Sequence, residues 1–277
     1  MDVLGKAWQH PPDDGHVRLW WLGQAGFGVQ YGRCRLLIDP YLSDSLAEKY
    51  HNTRFPHVRE MPIPVMPESL SGITAVLCTH AHSDHMDPGT LPVIARNNPE
   101  CSFVVPAAAC GRAMERGIPE NRLRPAVAEQ SFTLGNVRIT ALPSAHERRE
   151  TDAKRRDLFL GYGLLLGGQT IYHSGDCVPF PELAGLLTKL RVGLALLPVN
   201  GRDELRCSNG VPGNFTFAEA VDLCRTARIP RFVAHHWGMF SFNTLSIDEL
   251  TREAARIASG VQCIVPEIGR PILLEHD

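Results

Sequence analysis

Apolar residues recur in short runs, and the early runs read as strands. Val17-Arg-Leu-Trp-Trp-Leu22, Phe27-Gly-Val-Gln-Tyr31 and Cys34-Arg-Leu-Leu-Ile38 are rich in β-branched, aromatic and aliphatic residues. Glycine-containing turns separate them, which predicts an antiparallel meander. The pattern fails over 43–72, where Pro56, Pro62, Pro64 and Pro67 fall together with His51 and His57. That segment reads as a long loop, and long loops in compact domains are usually functional. Residues 73–79 read as a buried strand. Asp87 followed by Pro88 has the form of an N-cap and first helical position, predicting a helix over 88–95.

The second half repeats this logic. Residues 137–142, 158–166, 169–173, 194–197 and 231–235 read as strands, with Gly167-Gly168 as a tight hairpin. Thr216-Phe-Ala-Glu219 and Ser246-Ile-Asp-Glu249 have the form of capping boxes that start helices. Two meanders with interspersed helices predict two packed sheets with helices outside. No linker or compositional break divides 1–277, so the chain reads as one domain.

Composition narrows the class. With 277 residues the chain suits one large α/β domain, and 44% hydrophobic against 21% charged is the balance of a packed soluble protein. No apolar run is long enough to cross a bilayer. A net charge of −2 argues against a generic nucleic-acid binder, which would carry a basic excess. The 8 cysteines form no CxxC pair and sit mostly in apolar runs, and residues 1–15 lack the apolar core of a signal peptide. A reducing cytoplasm is therefore expected.

The chemistry gathers in Thr79-His80-Ala81-His82-Ser83-Asp84-His85, directly after the strand read over 73–79. In an extended chain residues two apart share a face, so His80 and His82 can aim at one point. Asp84 and His85 follow where the chain turns, and can aim at a second point nearby. Neutral imidazole is a good ligand for Zn²⁺ and similar ions, and a carboxylate adds charge compensation. A lone His-x-His is usually an ordinary pair of histidines. Four matched positions arise by chance in roughly one chain in a thousand, so a metal site is the better reading.

His80-x-His82-x-Asp84-His85 after an apolar strand resembles the signature of the metallo-β-lactamase superfamily, and the rest of the chain agrees in order. Leu37-Ile-Asp39-Pro40 resembles that family's first motif, whose Asp supports the ligand loop from behind. His146 in Pro143-Ser-Ala-His146 falls where the family places a third histidine of the first metal. Asp176 in His173-Ser-Gly-Asp176 matches its bridging carboxylate. In His235-His236-Trp237-Gly238, aligning the glycine makes His236 the ligand of the second metal. A narrower resemblance, to the subgroup of L-ascorbate-6-phosphate lactonase, rests on Trp21-Leu-Gly-Gln-Ala-Gly-Phe27, Tyr172-His-Ser-Gly-Asp176 and Pro198-Val-Asn-Gly-Arg202.

The resemblance implies an α/β (α+β) fold, an αββα four-layer sandwich, and a hydrolase with two divalent ions, Zn²⁺ first and Mn²⁺ as the alternative. His80, His82 and His146 would hold one ion, Asp84, His85 and His236 the other, with Asp176 bridging. Two metals sharing a water present hydroxide to a carbonyl or phosphoryl centre, and Asp84 could orient that water or carry its proton. Asp39 and Asp87 are candidates for steadying ligand histidines. His173 and Arg202 are candidates for substrate contact, with Arg148, Arg149, Arg155 and Arg156 around an anionic substrate. The expected substrate is a small polar ester or lactone, phosphorylated or otherwise anionic, with no nucleic-acid or membrane partner. Self-association is left open. A phosphodiesterase of the same fold is the first alternative, and a non-catalytic metal-binding regulatory protein the second.

Overall fold

Seven strands build the first of two sheets in the computed structural model, which describes residues 4–12, 15–257 and 260–274. Its members are β1 (Val17–Gly23), β2 (Gly26–Tyr31), β3 (Cys34–Ile38), β4 (Ala75–Leu77), β5 (Ser102–Pro106) and β6 (Leu123–Ala126), joined at the edge by the chain's last strand. The second sheet holds β7 (Ser131–Leu134), β8 (Val137–Pro143), β9 (Leu160–Leu166), β10 (Gln169–His173), β11 (Leu194–Pro198), β12 (Arg231–His235) and β13 (Gln262–Ile264), and β14 (Ile272–Leu274) returns to pair with β1. Each sheet begins antiparallel and continues parallel. In the first, β1 to β3 are antiparallel and β3 to β6 parallel. In the second, β7 to β10 are antiparallel and β10 to β13 parallel. As a result β1, β3 and β4 run one way in their sheet, as do β8, β10, β11 and β12 in theirs.

Alternation along the strands explains the layers. Leu19 and Trp21 of β1 and Leu36 and Ile38 of β3 join Ile139, Ala141, Tyr162 and Leu164 of the second sheet in one apolar core. Trp20 and Leu22, one residue out of phase, enter a separate cluster on the opposite face. That cluster is closed by Leu91 and Ile94 of α3 (Leu91–Asn97) and Ala113 of α4 (Cys110–Glu115). α5 (Leu183–Leu190) and α7 (Phe217–Ala227) contribute Leu183, Leu187, Ala220 and Leu223 to the core of the second sheet. The remaining helices are short or peripheral: α1 (Gly5–Gln9), α2 (Ser45–Tyr50), α6 (Glu204–Ser208) and α8 (Ile247–Arg256). No helix among the described residues is long and apolar enough to cross a membrane.

Several expectations need correction. Residues 43–72 are not wholly irregular, because Ser-Leu-Ala-Glu-Lys-Tyr forms α2 and buries Leu46. The strand read over 73–79 is confined to Ala75–Leu77. The helix expected from Pro88 begins at Leu91 instead, with Thr90 at its N-cap. Asp87 closes the preceding turn, its backbone carbonyl accepting from Thr90 and Leu91 N–H. Both capping boxes form as read, with Thr216 and Ser246 accepting from Glu219 and Glu249. The hairpin at Gly167-Gly168 also forms, both glycines having positive φ. Of the N-terminal stretch read for a signal peptide, residues 1–3 and Asp13 and Asp14 lie outside the described residues.

Candidate metal centre

Every candidate ligand lies in a segment that leaves the C-terminal end of a strand, so both sheets deliver side chains to one edge of the sandwich. His80, His82, Asp84 and His85 follow β4, His146 follows β8 after Ser144 and Ala145, Asp176 follows β10, and His236 follows β12. Backbone bonds stitch these segments together. Leu160 N–H donates to Thr79 O at 2.9 Å, His236 N–H to Gln24 O at 2.9 Å, and Val178 N–H to Ala145 O at 2.7 Å. The approach is close: a Cβ on Gly175 would stand 2.7 Å from Thr79 Cβ, and Gly175 is left-handed at φ 62°. Glycine is the residue that fits there.

Asp39 organises the loop from behind. It is buried and left-handed at φ 45°, a conformation costly for a non-glycine residue and typical of built sites. Its Oδ1 accepts from Thr79 N–H at 2.8 Å, and its Oδ2 accepts from Thr79 Oγ1 at 2.7 Å and His85 Nδ1 at 2.7 Å. Since the Thr79 hydroxyl proton goes to Asp39, Oγ1 accepts from His80 Nδ1 at 3.0 Å. These bonds place the ring protons of His80 and His85 on Nδ1 and turn both Nε2 atoms inward.

The inward atoms form overlapping groups. His80, His82 and His146 offer ligand atoms within 4.8 Å of one another, as do Asp84, His85 and His236, and as do His80, His85 and Asp176. Asp176 faces both sides. Its Oδ1 lies 3.2 Å from His85 Nε2 and 3.3 Å from His236 Nε2, while its Oδ2 lies 3.4 Å from His146 Nε2. His80 Nε2, His85 Nε2 and Asp176 Oδ1 are buried without a hydrogen-bond partner among the described residues. Buried polar atoms left orphaned and convergent are what an ion would satisfy, so the residues present fit metal.

At His80 and His82 the electrostatics agree with that fit. Burial, with the neighbouring His85 and His82, holds His80 well below the ordinary histidine value, and burial with His146 brings His82 down to about 4. Both imidazoles are therefore neutral, the form that binds metal. Burial alone would lower His85 as well, yet Asp176, Asp39 and Asp84 carry it well above the usual value, so an ion binding there must displace a proton from His85. Burial would raise Asp176, but His236 and His85 hold it well below the carboxylate range.

Other expected contacts are placed elsewhere. His173 is fully buried: its Nε2 donates to Ala25 O at 2.8 Å and its Nδ1 accepts from Gly175 N–H at 2.9 Å, so neither nitrogen faces substrate. Asp87 touches no ligand histidine, binding Ser43, Ser45 and Thr90 hydroxyls instead. Arg202 makes a bidentate pair with Glu219, both contacts at 2.6 Å, and anchors the start of α7. Arg149 pairs with Asp157 and Arg156 with Asp152, Arg148 points outward beside Glu150, and Arg155 turns the short hairpin between them. Arg202→Ala is thus expected to leave substrate KM unchanged and to cost about 1 kcal/mol of stability, the scale of a half-exposed bidentate pair. A melting curve together with KM checks this, and a raised KM without loss of stability would contradict it.

The groups open into a cavity of about 860 Å³. Its wall includes Lys49, Arg54, Arg112 and Arg116, and the rings of Tyr50, Phe55, His57, Phe240 and Phe242. The rings pack on one another, with Tyr50 and His57 stacked at 4.2 Å and Phe242 edge-on to His57 at 4.8 Å. Two carboxylates line it, Asp84 and Asp176, and both belong to the ligand groups. Lys49, Arg54 and three of the rings come from residues 49–57, inside the proline-rich segment whose length alone pointed to function. Arg112 and Arg116 carried no sequence signal, because α4 reaches the site only through packing.

Comparison with known proteins places this arrangement. A Myxococcus xanthus protein named UPF0173 metal-dependent hydrolase is 26% identical over 268 residues, covering 92% of this chain and 82% of that protein. Among solved structures, isothiocyanate hydrolase from Delia radicum gut bacteria superposes with a TM-score of 0.72 at 19% identity, covering 92% of this chain and 98% of that one. A metallo hydrolase from Ignicoccus hospitalis superposes with a TM-score of 0.68 at 19% identity, covering 95% and 100%. Residues 34–237 match the Beta-lactamase superfamily domain, a stretch that runs from β3 through His80, His146 and Asp176 to His236, and the chain belongs to that superfamily.

Proposed function

We propose that this chain is a metal-dependent hydrolase that binds two divalent ions and cleaves a small anionic ester or lactone. The observation that carries the reading is Asp176, whose two oxygens face different histidine groups on the floor of a cation-rimmed cavity. His80, His82 and His146 would hold one ion, and Asp84, His85 and His236 the other, Zn²⁺ being favoured by the imidazoles and Mn²⁺ by the carboxylates. When bound, such ions supply an acidified water and polarise a carbonyl or phosphoryl oxygen. The chain's own residues do the rest. Asp84, held below the carboxylate range by His85 although burial opposes this, is ionised and reaches the cavity, so it can take a proton and return it to the leaving oxygen. Arg112 meets the anionic group, Arg116 braces the loop by donating to the carbonyls of His82 and Met86, and the ring wall receives a flat apolar portion of the substrate.

The test is a screen of the chelated and reloaded protein against phosphorylated lactones, carboxylic esters and phosphodiesters. Activity that disappears on chelation and returns with Zn²⁺ or Mn²⁺ is expected on the esters or lactones. Turnover confined to phosphodiesters selects the alternative enzyme, and metal binding without turnover selects a regulatory protein. Arg112, more than half exposed and paired with Glu115 at 2.7 Å, is expected on Ala substitution to raise KM for an anionic substrate about tenfold, or ~1.4 kcal/mol. Neutral analogues should be little affected; equal losses on both would remove Arg112 from substrate binding.

A further inference from the structure

The turn Gly23-Gln24-Ala25-Gly26 between β1 and β2 carries a polar side chain that the sequence reading assigned no role. Gln24 is buried and left-handed at φ 50°. Its carbonyl accepts from Trp21 Nε1 at 2.9 Å and from His236 N–H at 2.9 Å, so both sheets fix it in place. Its carboxamide Nε2 stands 3.0 Å from Asp84 Oδ2 and 3.0 Å from His236 Nε2.

The position of those contacts is informative. A residue that supports a ligand from behind bonds the atom facing away from the cluster, as Asp39 does with His85 Nδ1. Gln24 instead touches Asp84 and His236 at atoms turned toward the shared space, and His236 Nε2 also faces Asp176. Half a turn about the last side-chain bond exchanges Nε2 for Oε1 with no other movement. That exchange presents a neutral oxygen donor to the same place. We infer that Gln24 is a metal-binding residue of the Asp84, His85 and His236 group, its carboxamide oxygen joining the ligands when an ion is bound and its NH₂ bridging Asp84 and His236 when none is. The inference rests on the two-ion reading above. An extra oxygen beside Asp84 and Asp176 makes this group harder than the three-imidazole group, so it favours Mn²⁺-like ions relative to its neighbour.

Titration of the metal-free protein with Mn²⁺ and with Co²⁺, followed by elemental analysis and Co²⁺ absorption spectra, tests this directly. Gln24→Leu is expected to keep the tighter ion and to weaken the second step at least tenfold, with a changed Co²⁺ spectrum for that step. Gln24→Glu, which supplies a charged oxygen of the same reach, is expected to bind the second ion more tightly than wild type. A second ion bound by Gln24→Leu as tightly as by wild type, or more tightly, would overturn the inference while leaving the two-ion reading intact. Failure of wild type to take a second ion would overturn both. If Gln24→Leu does not fold, the Gln24→Glu comparison decides, since an unchanged second step there also contradicts a ligand role.

Discussion

Asp176→Asn is expected to lower turnover by about 10³-fold or more, ~4 kcal/mol of transition-state stabilisation, and to release at least one ion. The side chain keeps its shape, so the effect isolates charge and donor chemistry. In the wild type Oδ1 lies 3.2 Å from His85 Nε2 and 3.3 Å from His236 Nε2, and Oδ2 lies 3.4 Å from His146 Nε2. An amide can present oxygen to one side alone, leaving an NH₂ that donates but cannot coordinate toward the other. It also removes the negative charge that balances a cluster of imidazoles. Ion counting and kcat/KM on the same preparation provide the check. A variant that keeps both ions and stays within tenfold of wild-type turnover would reduce Asp176 to a packing role.

Much of the centre was legible because its chemistry is local. His80, His82, Asp84 and His85 lie within one short segment after a buried strand, and alternation alone separates the first two from the others. Asp39, His146, Asp176 and His236 came from resemblance, since each sits at the end of a different strand and no spacing in the chain relates them. The sheets were legible for the same reason of period. Strands such as β6, β13 and β14, of three or four residues, are too short to show one. They exist because neighbouring strands leave an edge to pair with.

The charged rim was misplaced for a physical reason visible in the residues. The run 146–157 carries Asp152 and Asp157 among its arginines, and those carboxylates absorb Arg156 and Arg149 locally. Arg202 is claimed by Glu219, the same residue that closes the capping box of α7. Asp87 is claimed by the hydroxyls of Ser43, Ser45 and Thr90, and so never reaches a histidine. A charged side chain whose local partner is partly buried or completes a cap is held there, whereas the Arg112–Glu115 pair is exposed on both sides and readily exchanged. Arg112 and Arg116 line the cavity because α4 packs against β5, a relation no local pattern carries.

The neighbouring histidines His235 and His236 offer the sharpest contrast between a core residue and a candidate ligand. At the end of β12 the chain turns left-handed at His236, φ 61°, which swings its ring toward Asp84, His85 and Asp176. His235 stays in the strand's alternation and points into the core, stacked on His173 at 5.0 Å and edge-on to Phe27 at 5.7 Å. Neither of its ring nitrogens has a hydrogen-bond partner among the described residues, and burial holds it neutral, well below the ordinary histidine value. Burying a polar ring without partners is unfavourable, so an apolar side chain of similar size loses little and relieves that cost. His235→Leu is therefore expected to keep both ions, to keep turnover within a few-fold, and to hold or raise stability by up to ~1 kcal/mol. His236→Leu should lose one ion and turnover by about 10²-fold or more, the scale of a lost ligand rather than a lost support. Metal analysis and a melting curve on the two variants separate the roles, and a His235→Leu protein stripped of metal beside a fully loaded His236→Leu protein would reverse the assignment.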